Sequence, residues 1–148
     1  MNLKISLADE SYKYKPGEKI FHDKPGISLV AARRDWVAFQ VLMQGDESFT
    51  LSVGDNTVFS PRINNAVGAG KTKLYIFRLH ISINSLPSAE IRMYPVGLIN
   101  DDDGIAKADI LLHDDTVFVG YEQVQPVWVE IAIPEDVQPG VYQGDYLN

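Results

Sequence analysis

Apolar and polar residues alternate with a period of two along most of the chain, and no long stretch keeps a helical period. The alternation is clearest from Trp36 to Met43, where Val37, Phe39, Val41 and Met43 share one face. Phe49, Leu51 and Val53 alternate with Thr50 and Ser52, and in Lys73 to Ile83 the odd positions carry Tyr75, Phe77, Leu79, Ile81 and Ile83. Near the C-terminus Val127, Val129, Ile131 and Ile133 line one face of a further strand. Shorter strands are predicted at Ile27–Ala31, Ile91–Tyr94, Thr116–Val119 and Val141–Leu147, with a helical turn over Ile105–Leu112.

Pro and Gly punctuate the joints, at Pro16-Gly17, Pro25-Gly26, Gly45-Asp46, Gly54-Asp55 and Pro139-Gly140. Short strands between such turns predict an all-β fold, an antiparallel β-sandwich of about eight strands, immunoglobulin-like or jelly-roll-like. There is no internal repeat or low-complexity tract, so residues 1–148 are read as a single domain. The final strand runs almost to Asn148, as in a module of a larger protein cut at a domain boundary or in a natural domain that stops there.

Composition narrows the function classes. The net charge of -7 and the pI near 4.8 argue against nucleic-acid partners and against an anionic membrane surface, both of which need basic patches. With no cysteine, disulfides, thiolate metal sites and a cysteine nucleophile are excluded. The first residues lack the apolar core of a signal peptide. The chain is therefore cytoplasmic, or a mature or excised piece of a secreted protein.

One stretch imitates a phosphate loop. Gly70-Lys71-Thr72 fits the end of G-x-x-x-x-G-K-[ST], but position 65 is Asn, and a strand pattern follows where a helix is needed to hold phosphate. Asn64–Thr72 is read as a Gly-rich connection into the next strand. The acidic run Asn100–Gly104 fails as a helix–loop–helix calcium site, because Ile99 and Ile110 fall where oxygen ligands belong. His22, His80 and His113 lack zinc spacing, and there is no G-x-S-x-G elbow. No catalytic residue, metal or cofactor is assigned.

The two tryptophans carry more information. Trp36 falls on the outward face with Ala38, Gln40 and Leu42, and Trp128 falls outward with Glu130 and Ala132. Arg78 and His80 have the same register in their own strand. Outward aromatics cover an interface or form a binding platform. A flat indole beside Gln, Glu or His suits a sugar ring, so Trp36, Gln40, His80, Trp128 and Glu130 are the ligand candidates, for a glycan or for an adjacent domain.

Two stretches resemble a known family. Ile27–Val41, ISLVAARRDWVAFQV, is similar to the L-x-A-A-R-N-E-x-x-x-F-Q segment of certain glycoside hydrolases. Gln125–Gly144, QPVWVEIAIPEDVQPGVYQG, is similar to their Q-P-x-W-V-x-V-x-V-P-x-D-x-x-P-G-x-Y-x-G segment. Residues 91–115 look like the stretch linking them, although Arg34-Asp35 replaces Asn-Glu and Ala108 replaces the Pro of a Pro-Asp element. Together they resemble the N-terminal β-sandwich domain of glycoside hydrolase family 123 and related multidomain enzymes. The resemblance implies a non-catalytic accessory or carbohydrate-binding module of a bacterial enzyme, extracellular or at the cell surface, whose catalytic carboxylates lie in a following barrel domain. The alternative is a protein–protein interaction or structural sandwich without glycan affinity. Within the second motif, Pro139-Gly140 is read as a type II turn with Gly140 at positive φ, and Gly144 as a point where backbone passes close to a neighbour.

Overall fold

A computed structural model describes residues 2–18, 26–53, 75–83, 86, 89–100 and 104–147. Among these residues there are nine strands and no helix: β1 Leu3–Asp9, β2 Trp36–Gly45, β3 Phe49–Val53, β4 Ile76–Ser82, β5 Glu90–Asn100, β6 Ala106–Leu111, β7 Thr116–Val119, β8 Val124–Ala132 and β9 Asp145–Leu147. They form a five-stranded sheet of order β1-β2-β8-β5-β6 and a four-stranded sheet of order β7-β3-β4-β9. Every neighbouring pair is antiparallel except β3 with β4. The expected all-β sandwich is what forms.

The period-2 pattern produces this architecture directly. Phe39, Val41, Met43, Val127, Val129 and Ile131 from the five-stranded sheet meet Phe49, Leu51, Val53, Leu79, Ile81 and Val119 from the other. Each side chain of this kind stabilises the fold by about 1.5–3 kcal/mol when fully buried. Phe49 also meets Phe77 edge to face at 5.6 Å, which fixes both rings.

Several local readings need correction. Ile27–Ala31 is not a strand: Ile27 packs against the core, but Val30 is 96% exposed and no ladder partner faces it among the described residues. Ile105–Leu112 is not helical, because the long β5 offers a template and Ala106–Leu111 pairs with it as an edge strand. Strand β5 continues past Tyr94 to Asn100, and β1 belongs to a segment where no strand was anticipated. The last strand is confined to Asp145–Leu147, and Gly140 does not adopt a left-handed φ. The reason is topological. β8 lies in one sheet and β9 pairs with β4 in the other, so the chain crosses between layers here and needs no tight reversal. The readings of Asn64–Thr72 and of Asp101–Asp103 lie outside the described residues.

Gly144 behaves as its motif suggests. A Cβ there would come within 2.8 Å of the Ser82 carbonyl oxygen and 3.0 Å of an Ile83 side-chain carbon. Backbone cannot yield as a side chain can, so Gly144→Ala is expected to lower stability by about 1–3 kcal/mol, read from urea midpoints. Arg34 has φ 64°, a left-handed conformation that Asn tolerates far better than Arg. Its side chain pairs with Glu135, but both groups are exposed and such a pair contributes little. Arg34→Asn is therefore expected to leave stability unchanged or raise it by up to about 1 kcal/mol; a loss of that size would show that the ion pair outweighs the strain.

Candidate functional site

The outer face of the five-stranded sheet holds most of the sequence-predicted site. Trp36 lies opposite Ala132, Ala38 opposite Glu130 and Gln40 opposite Trp128 across the β2–β8 ladder, and these residues share one face. Trp36 and Trp128 are separated by four register steps, about 13 Å along the strands. His80 is not brought to them. It alternates in β4 with the core residues Leu79 and Ile81, so it belongs to the outer side of the opposite sheet.

This outer face is not an open platform. After β1 the chain turns at Asp9, whose carboxylate accepts from Ser11 N at 2.9 Å and Ser11 Oγ at 2.6 Å. It then runs across the sheet as a strap to Glu18. Tyr14 of the strap packs with Leu42, Val96, Ala108 and Val124 in a second apolar cluster, with Tyr12, Ala8 and Trp128 at its margin. Two polar anchors hold the strap. Ala108 N donates to Tyr14 O at 2.7 Å, an N–H that the Pro of the resembled pattern would lack. Gln40, only 2% exposed, donates from its amide nitrogen to the carbonyl oxygens of Asp9 and Tyr12. A buried Gln is thus satisfied by backbone groups that would themselves be costly to leave unpaired.

Between the strap, the outer face of β2 and β8, and β6, a cleft of about 180 Å³ remains, lined by Glu10, Tyr12, Lys13, Gln40, Asp109 and Trp128 among others. Lys13 Nζ bridges to Asp109 Oδ2 at 2.9 Å. Asp109 owes this position to a bulge: Leu98 faces Ala108 and Gly97 faces Ile110, so Asp109 has no partner in the ladder and its side chain is free to turn. Trp128 donates its indole N–H to Glu130 Oε1 at 3.0 Å, which fixes the ring's rotation. Trp36 lies beyond the strap and is 54% exposed.

Sequence reasoning found Trp36, Trp128, Gln40 and Glu130 on one face but missed Glu10, Tyr12, Lys13 and Asp109. The strap has no periodicity, so the available signal was Tyr12 and Tyr14 recurring at a period of two beside the Pro16-Gly17 turn. Among the described residues no group of three His, Asp or Glu side chains is arranged to hold a metal ion.

The fold and cleft define a two-layer β-sandwich module whose outer face is roofed by its own N-terminal strap. Residues 97–147, from the end of β5 through β9, match the model of the glycoside hydrolase 123 N-terminal domain, consistent with a domain of that kind attached to a glycoside hydrolase. No curated protein matches the chain.

Tyr12 supplies a pH test of the strap. Burial, then its hydrogen bond to Glu18 Oε2 at 2.7 Å, pushes its phenol from 10.0 up to about 12. The folded state therefore holds this proton more tightly than the unfolded chain does. Its contribution is complete below pH 10 and is lost as pH rises through about 12. Stability is expected to fall across that window, and Tyr12→Phe to flatten the fall; an equally steep fall in Tyr12→Phe would refute the assignment.

Proposed function

We propose that this chain is a non-catalytic accessory module of a bacterial carbohydrate-active enzyme, extracellular or at the cell surface, which contacts glycan through the outer face of its five-stranded sheet. The observation that carries this reading is the common outward register of Trp36 and Trp128. One indole is open and the other borders a polar cleft. Aromatic rings pack against the C–H faces of sugars, and nearby carboxylates and amides accept from their hydroxyls. The family match supports association with a glycoside hydrolase. His80, on the far side of the core, has no part in this surface.

A second surface favours packing on a catalytic domain. Ile99 and Ile110 share one face at the β5–β6 edge of the sheet and are exposed there. Apolar groups gathered in this way mark protein contacts. The two surfaces suit a module that leans on its enzyme with one side and meets substrate with another.

The test is binding of the isolated chain to a panel of soluble oligosaccharides by calorimetry. Trp36→Ala and Trp128→Ala are each expected to weaken the affinity by about tenfold or more with the far-UV spectrum unchanged. Affinity unaffected by either change would overturn the role of the tryptophan face. Absence of affinity for every glycan, together with self-association or partner binding through that face, would favour a protein-interaction domain.

A further inference from the structure

The cleft beside Trp128 has a feature that an ordinary surface hollow lacks. Gln40 spends its amide nitrogen on the Asp9 and Tyr12 carbonyls, which fixes which way the amide points. Its Oε1 accepts no hydrogen bond among the described residues, although the side chain is almost wholly buried and lines the cleft. Gln40 therefore contributes an amide of fixed orientation to the lining of the cleft.

We propose that this cleft is a subsite for a single uncharged pyranose ring. The inference rests on the glycan reading above and specifies where and what the module grips. Its volume of about 180 Å³ suits one ring rather than a chain. Trp128 offers an apolar surface whose rotation is fixed by Glu130. Gln40 Oε1 and the Glu10 carboxylate accept from ring hydroxyls, and the Lys13 ammonium is the donor. Two carboxylates, Glu10 and Asp109, stand against the single charge of Lys13, which Asp109 already neutralises. The remaining negative charge repels uronic acids and sulfated sugars. Trp36, beyond the strap, takes no part in gripping this ring but can meet a further residue of a longer glycan.

The experiment uses the full chain carrying Trp36→Phe, so that Trp128 is the sole indole, and follows its fluorescence against the methyl pyranosides of glucose, galactose and mannose, with glucuronate as the charged comparison. Saturable binding of at least one neutral pyranoside at or below about 50 mM is expected, with glucuronate at least about tenfold weaker. Glu10→Ala, on the exposed strap, is expected to weaken the neutral sugar about tenfold while the protein stays folded. Trp128→Ala, followed by calorimetry with Trp36 retained, should abolish binding; if that variant does not fold, Glu10→Ala decides. The subsite is overturned if no methyl pyranoside binds, if glucuronate binds as well as the neutral sugars, or if Glu10→Ala binds unchanged. Oligosaccharide binding that survives these failures and depends on Trp36 would remove the subsite and leave the accessory-module reading standing.

Discussion

The β2–β8 ladder is the constraint on which the rest depends. Both strands are central in the five-stranded sheet, and their inward side chains form most of its share of the core. In an ordinary antiparallel sandwich the opposite face of such strands is solvated. Here Ala38, Gln40 and Leu42 are buried as well, so β2 is enclosed on both sides over most of its length. Burial of the second face demands a cover, and the cover is the strap from Asp9 to Glu18. A strap of irregular chain has carbonyl groups with no ladder to join, which is why a Gln stands at position 40 instead of another aliphatic residue.

The architecture was legible because a half-buried strand writes itself as alternation. The strands β3 and β7 were found to the residue and β2 to within two from that signal, whereas β8, read at Val127–Ile133, forms over Val124–Ala132. It failed where pairing partners, and not local pattern, decide conformation. Ile27–Ala31 alternates as well as a real strand, yet among the described residues no strand pairs with it. Lys107 to Leu111 carries no strong local preference and becomes β6 because β5 extends alongside it. The Pro139-Gly140 turn was inferred from a dipeptide that fits a hairpin, but the chain was passing between sheets.

The site was half legible for the same reason. Register alone brings Trp36, Gln40, Trp128 and Glu130 to one face, and they are there. Register cannot say whether that face is open, and it equated His80 with them although His80 faces away on another layer. The strap and the bulge at Asp109 were invisible, since one has no period and the other is a local departure from period. Features that break the pattern are the ones that turn a flat sheet surface into a cleft with walls.

The hydrogen bond from Ala108 to Tyr14 ties together two parts of the chain with different ancestry signals. Ala108 lies inside the matched segment, whereas β1 and the strap lie wholly outside both it and the resembled motifs. A recombinant fragment trimmed to begin at Ile27 would keep every recognised motif. It would nevertheless bare the edge of β2 and uncover Leu42 and Val96, leaving a sticky sheet where the intact chain is capped. The least recognisable stretch of this protein is what covers the outer face and the free edge of its central strands.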